Sequence, residues 1–81
     1  MYDVNVANQI AEDQIDDLSD PEFEVLKEIY EALRLAPANG RQLTPTGNMY
    51  VWDHKGVSVT YFLLDAPQRE VAILRVNRYP A

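Results

Sequence analysis

The side chains that could do acid–base or phosphate chemistry lie in the second half of this chain. His54 is the single histidine, and histidine is the side chain type that exchanges protons near neutral pH. Arg75 alternates with Ile73 along a predicted strand. It should therefore project from the sheet face opposite Leu74 and Val76, where a guanidinium can hold a phosphate. Each residue also has a simpler interpretation: a lone histidine in a turn, and a surface arginine paired with an acid.

Four further residues of this half could contact an anionic ligand. Arg41 lies in a long loop and Lys55 in a turn, so either can reach a ligand or remain a solvated charge. Arg78 and Tyr79 end the last predicted strand. An arginine there can hold a phosphate, and a tyrosine can stack on a base or donate a proton. The alternative for this pair is a terminus that frays without a role.

Charge is divided unevenly along the chain. The formal net charge of −6 argues against nucleic acid as a ligand, because phosphate binding depends on lysine and arginine. Residues 1–40 carry ten acids against Lys27 and Arg34, whereas residues 41–81 carry five basic residues against three acids. The helices and the sheet should therefore present opposite signs. Two interpretations remain open: a solvated acidic helical face, and a weakly basic sheet that faces an anion.

Composition restricts the class of protein. A chain of 81 residues forms one domain, and we predict a single domain over residues 1–81. The chain has no cysteine and one histidine, so we expect neither a metal site nor a cofactor. Its longest apolar stretch is far below the roughly 20 residues of a membrane span, and its N-terminus lacks the pattern of a signal peptide. We therefore expect a cytoplasmic protein without membrane contact.

Apolar spacing in the first half predicts one strand and two helices. Residues 2–6 alternate as a short strand does. An apolar stripe at helical spacing predicts a first helix that ends near Leu18. Residues 19–22, Ser-Asp-Pro-Glu, are a strong start for a second helix, and Pro37 should end it. Two antiparallel helices joined by a tight turn are expected.

The second half alternates as a sheet does. The runs 49–53, 57–61 and 70–79 predict a three-stranded antiparallel meander, after a connecting loop at 37–48. The expected fold is α+β: an N-terminal strand, a two-helix hairpin and the meander, with one sheet and the helices packed on one face. Alternation places Phe62 and Ile73 on the open face, where a partner should cover them.

This order of elements resembles the RelE/ParE superfamily of small bacterial toxins, which are encoded with antitoxins. The stretches that carry the resemblance are Leu33–Pro37, Leu43, Met49–Tyr50, Val57–Tyr61 and Leu74–Val76. It implies a helical hairpin packed on a four-stranded sheet. It also implies one of two activities, because members related to RelE cut messenger RNA on the ribosome and members related to ParE inhibit DNA gyrase. The cognate antitoxin is then the expected partner.

The resemblance also implies basic residues on the open face for RNA cleavage. In this chain the family's basic positions fall on Val51, Asp53 and Ser58, and a further one falls close to Arg78 and Tyr79. At most part of such a site is present.

Two hypotheses from different classes follow. In the first, the chain is a ribosome-dependent endoribonuclease in which His54 or Tyr79 moves protons, Arg75 and Arg78 hold phosphate, and Arg41 and Lys55 bind RNA. In the second, the fold is a non-catalytic protein-binding module. A gyrase-directed toxin is a further alternative, and a homodimer is an alternative cover for the open face.

Overall fold

Two helices and five strands make up the regular structure of the computed structural model, which describes residues 1–79. In chain order they are β1 (Asp3–Val6), α1 (Gln9–Asp16), α2 (Asp20–Leu35), β2 (Arg41–Gln42), β3 (Met49–His54), β4 (Val57–Leu64) and β5 (Glu70–Arg78). A short 3-10 turn at Pro37–Asn39 follows α2. The predicted α+β fold is confirmed. No helix within residues 1–79 is long and apolar enough to cross a membrane.

The five strands form one sheet in the order β1-β5-β4-β3-β2. β1 pairs parallel to β5, and every other neighbouring pair is antiparallel. The β3–β4 turn consists of Lys55 and Gly56, both with positive φ, as tight hairpins require. β2 was not predicted, because a two-residue strand is too short to show alternation. It adds a fifth strand where a loop was expected, through the pairs Arg41–Val51 and Gln42–Tyr50.

Helix α2 begins where its capping residues lie. The Ser19 side chain accepts the Glu22 N–H, and the Glu22 carboxylate accepts the Ser19 N–H at 2.8 Å, so each residue satisfies a free backbone donor of the other. The helix then buries Leu26, Ile29 and Leu33 against the sheet. Helix α1 is shorter than predicted, since it ends at Asp16 rather than near Leu18.

A β-bulge in β5 changes which side chains enter the core. Thr60 pairs with Arg75 and Tyr61 pairs with Ile73, so Leu74 is an extra residue and the alternation changes phase there. Ile73 is fully buried among the core residues, and its prediction as an open-face residue was wrong for this reason. Val71, Ile73 and Val76 are the buried positions of the strand. Leu74, predicted to lie opposite Arg75, contributes with it to one surface.

Tyr61 fixes the start of the loop between α2 and β3. Its ring is fully buried, and its hydroxyl donates a hydrogen bond to the carbonyl oxygen of Pro37, which is also buried. Burial raises the pKa of the Tyr61 phenol. A Cβ at Gly40 would collide with the same hydroxyl, so a glycine is needed where the chain passes over it. The loop is thereby held against the sheet.

We expect Tyr61→Phe to lower the free energy of unfolding by about 1–3 kcal/mol, because the buried Pro37 carbonyl would lose its partner. Urea unfolding followed by circular dichroism measures this. Tyr50→Phe is the matched control: Tyr50 stacks on Tyr61 but is only half-buried, and its change should stay below about 0.5 kcal/mol. Equal stability of the two variants would contradict a structural role for the Tyr61 hydroxyl.

Candidate functional site

The candidate site is the open face, the side of the sheet that points away from helix α2. By alternation and register its members are Met49, Val51 and Asp53 of β3, Ser58, Thr60 and Phe62 of β4, and Ala72, Arg75 and Asn77 of β5. Val51, Thr60 and Arg75 form one row across the three strands. Phe62 lies on this face as predicted, but it is half-buried rather than exposed.

A half-open pocket of about 420 Å³ lies on this face. Its wall is mainly apolar and comes from four separate parts of the chain: Ile10 of α1, Leu43 of the loop, Met49 of β3 and Leu74 of the bulge. Thr60 and Arg75 supply polar atoms on one side. Asn8 completes the rim and is held in place, since its amide donates to the Leu74 carbonyl at 3.3 Å.

Arg75 is the exposed cation of this pocket. Within residues 1–79 its guanidinium forms no ion pair or hydrogen bond, whereas Arg41 and Arg78 are both ion-paired. The simpler interpretation, in which Arg75 is paired with an acid, does not hold within residues 1–79. Asp53 pairs instead with Arg41, at 3.4 Å. Arg75 is therefore placed to bind an external anion.

Arg78 lies on the other side of the sheet, where it holds the helices. Arg78 follows buried Val76 by two residues in β5, so the two side chains lie on the same face of the sheet, toward α2. Its Nε and Nη2 donate to the two Glu22 carboxylate oxygens at 2.6 and 2.9 Å, and Nη2 also donates to the Asp17 carbonyl. The hydrogen bond from Arg78, together with the Ser19 N–H, lowers the pKa of Glu22 to about 2, and Glu22 in turn raises the pKa of Arg78. Arg78 therefore lies on the opposite side of the sheet from Arg75, and its predicted role in holding phosphate stays a prediction.

His54 and Lys55 also lie away from the open face. The His54 Nε2 is 2.9 Å from a Glu28 carboxylate oxygen of α2, and the Lys55 ammonium is 3.3 Å from the same oxygen. The hydrogen bond with His54 is the main cause that lowers the pKa of Glu28. Both residues therefore tie the β3–β4 turn to α2. They do not share a surface with Arg75.

Tyr79 directly follows β5 and is half-buried, with its N–H donating to the Gly56 carbonyl at 3.2 Å. It follows open-face Asn77 by two residues, so alternation places it on the side of Arg75. Of the predicted site residues, the structure thus brings Arg75 and Arg41 to one face, with Tyr79 added by alternation alone, and it separates His54, Lys55 and Arg78 from them. The catalytic and RNA-binding roles of all six remain predictions.

Sequence reasoning missed the apolar half of the site. Ile10, Leu43 and Leu74 are far apart along the chain, and no local pattern brings them together. Leu74 carried a partial signal, since two neighbouring apolar residues, Ile73 and Leu74, interrupt the alternation that a regular strand would keep.

Arg78→Gln should weaken the pH dependence of stability in acid. The folded-state pKa of Glu22 is below its ordinary value of 4.5, so the stability it adds is present above that value and is lost as pH falls toward about 2. Without Arg78, the main cause of the lowered pKa is gone, and the loss on acidification should be smaller. Urea midpoints at about pH 7 and about pH 3 measure it.

Arg34→Gln is the control for this prediction, because Arg34 is an exposed arginine that pairs with Glu31 and does not contact Glu22. It should keep the wild-type pH dependence. If Arg78→Gln loses as much stability in acid as the wild-type chain does, the Arg78–Glu22 pair is not the cause.

No protein-family profile matches this sequence, and no curated protein matches it. Solved structures do match. A chain of the RelBE2 toxin–antitoxin complex of Mycobacterium tuberculosis superposes with a TM-score of 0.81 at 20% identity, over 96% of this chain and 98% of that one. A chain of the intact E. coli RelBE toxin–antitoxin complex gives 0.74 at 20% identity, over the full length of both.

A third match is an E. coli RelE variant, with two arginines changed to alanine, in complex with an antitoxin RelBc peptide. It gives a TM-score of 0.71 at 21% identity, over 100% of this chain and 87% of that one. Likeness at this level of identity shows the fold. The chain has the fold found in these RelE and RelBE structures, which confirms its resemblance to the RelE/ParE superfamily at the level of architecture.

Proposed function

We propose that this chain is the toxin of a RelE-type toxin–antitoxin pair and that it inhibits translation by cleaving messenger RNA on the ribosome. The observation that carries the proposal is Arg75, an arginine of the open face that has no ion-pair or hydrogen-bond partner within residues 1–79 and lies at the β5 end of the row with Thr60 and Val51. The fold likeness extends over almost the entire chain, and the similar structures are toxin–antitoxin complexes or a toxin with an antitoxin peptide.

Cleavage through the 2′-hydroxyl needs a group that takes its proton, a cation that stabilises the phosphate, and an acid for the leaving oxygen. Arg75 is placed to supply the cation. Tyr79, which alternation places on the same side, is the candidate of the predicted set for moving a proton, because His54 lies on the helix side. Arg41 can add a second cation if it leaves its exposed 3.4 Å pair with Asp53. Because this inventory is small, we expect slow cleavage.

A second candidate function is a non-catalytic binding module on the same fold. One observation favours it: two of the predicted catalytic groups, His54 and Arg78, are engaged by carboxylates of helix α2 on the opposite side of the sheet. In this case the open face binds a protein and performs no chemistry on RNA.

A partner protein is expected for either function, and for the toxin it is the antitoxin. The open face offers exposed apolar side chains, and a segment that covers them would also cover Arg75. A homodimer through the same face is the competing arrangement. Size-exclusion chromatography with light scattering of the isolated chain separates the two.

We expect tightly controlled expression of the wild-type chain to arrest growth with cleaved messenger RNA, and Arg75→Gln to relieve the arrest. Removal of one charge-assisted phosphate contact should slow cleavage by on the order of tenfold. Primer extension on an induced transcript measures cleavage, and incorporation of labelled amino acid measures translation. Soluble levels of all variants are matched.

Arg34→Gln is the control, because it removes an exposed arginine from the far end of α2 and should leave the arrest unchanged. Arrest without RNA cleavage would contradict the nuclease and point to gyrase or another target. Absence of any arrest would contradict the toxin and leave the non-catalytic module. Relief by Arg34→Gln equal to relief by Arg75→Gln would show that Arg75 has no special role.

A further inference from the structure

The bulge in β5 places an apolar side chain and a cation next to each other on the pocket. Leu74 is the residue that the bulge adds, and Arg75 is the next residue along the strand, paired with Thr60. In a regular strand, neighbouring side chains point to opposite faces. Here both Leu74 and Arg75 line the same pocket. The fold therefore presents an apolar contact and a charged contact within one residue of each other.

The apolar part of the pocket is open to solvent. Ile10 is 61% exposed and Leu43 is 42% exposed, so the two side chains project at its rim rather than packing in the core. Met49 and Leu74 form the half-buried floor. A pocket of about 420 Å³ with such a wall accommodates one or two aliphatic or aromatic side chains. Their burial, rather than hydrogen bonding, would supply most of the binding free energy.

The charge of the pocket selects the sign of its ligand. The chain holds 13 acidic residues, yet none of those that the structure describes pairs with the Arg75 guanidinium. Most of those acids lie on the helices. Asp53 is an acid of the open face, in the row next to that of Arg75, and it is paired with Arg41. A carboxylate from outside can therefore bind Arg75 without displacing an internal partner.

We infer that this pocket binds a peptide segment of a partner protein in which an apolar side chain lies beside a carboxylate, with the apolar group among Ile10, Leu43, Met49 and Leu74 and the carboxylate on Arg75. The inference rests on the proposed function only for the identity of the partner, which would be the antitoxin. The chemistry of the segment follows from the pocket itself.

A peptide fits this pocket better than RNA does. RNA affinity comes mostly from several phosphate contacts, and it falls with each cation that is missing. Within residues 1–79 the pocket has one cation, and its remaining wall is mainly aliphatic, without an aromatic ring on which a base could stack. The net charge of −6 adds repulsion for a polyanion, whereas a single carboxylate experiences mainly the local field of Arg75.

The test is an NMR titration of the purified chain with blocked hexapeptides of alternating leucine and glutamate. We expect shifts of the methyl groups of Ile10, Leu43, Met49 and Leu74, with dissociation constants near the millimolar range for so short a peptide. Arg75→Gln should weaken binding about three- to fivefold, the effect of one exposed ion pair. Leu43→Ala should also weaken it, through lost apolar contact.

Matched controls separate a local site from general stickiness. Arg34→Gln removes a comparable exposed arginine, and Leu35→Ala removes a more exposed leucine, 71% against 42%, at the end of α2. Neither should change the affinity. The leucine–glutamine hexapeptide should bind more weakly than the leucine–glutamate one, and the leucine–lysine hexapeptide should be weakest.

Three outcomes would overturn the inference. The first is an absence of methyl shifts at peptide concentrations on the order of 10 mM, where millimolar binding would be evident. The second is equal binding of the glutamate and glutamine peptides. The third is tighter binding of a single-stranded RNA hexanucleotide at the same methyl groups. The titration measures peptide binding and does not depend on toxicity. Peptide binding without growth arrest would contradict the proposed toxin but support this inference, and growth arrest without peptide binding would do the opposite.

Discussion

The pairing of β4 with β5 is the interaction on which the rest of this structure depends. The two strands pair from Val57–Arg78 to Leu64–Glu70, in the middle of the sheet, and their ladder contains the bulge. On one side it assembles most of the buried core beneath α2. On the other it sets the row that contains Arg75. A one-residue change of register would exchange the two faces, so this ladder decides both packing and function.

Acidic residues of helix α2 pair with three basic groups of the sheet half of the chain, His54, Lys55 and Arg78. Glu22 holds Arg78, and Glu28 holds both His54 and Lys55, so these contacts fasten the end of β5 and the β3–β4 turn to α2. They are exposed or partly exposed pairs, and their contribution is positional more than energetic. Part of the positive charge of residues 41–81 is thus paired with negative charge of residues 1–40 within the fold. Arg75 stays without an ion pair among the described residues, because no acid of α1 or α2 contacts it on the open face.

The two sides of the sheet hold different groups among those that RNA cleavage would need. A nuclease needs a proton acceptor, a proton donor and a cation at one phosphate. In this fold the histidine is on the helix side, and the strand-end arginine stabilises a helix start. Over residues 1–79 the open face keeps one unpaired arginine beside an aliphatic pocket. Such a surface can bind a protein segment, and its single unpaired arginine among the described residues is the reason to expect slow phosphate chemistry. A toxin whose open face is covered by its antitoxin accommodates both properties, since one surface then serves target and inhibitor.

The sequence by itself determined the features that depend on neighbouring residues. The run Ser19-Asp20-Pro21-Glu22 predicted where α2 begins, the run 53–56 predicted the hairpin turn, and alternation predicted the strands and hence the α+β architecture. Tertiary structure alone decided the burial of Ile73, the ion pair of Arg78 with Glu22, the strand at Arg41–Gln42 and the pocket. The physical reason is that each depends on a bulge, a strand pairing or an ion pair between residues distant in the chain, which periodicity along one segment does not encode.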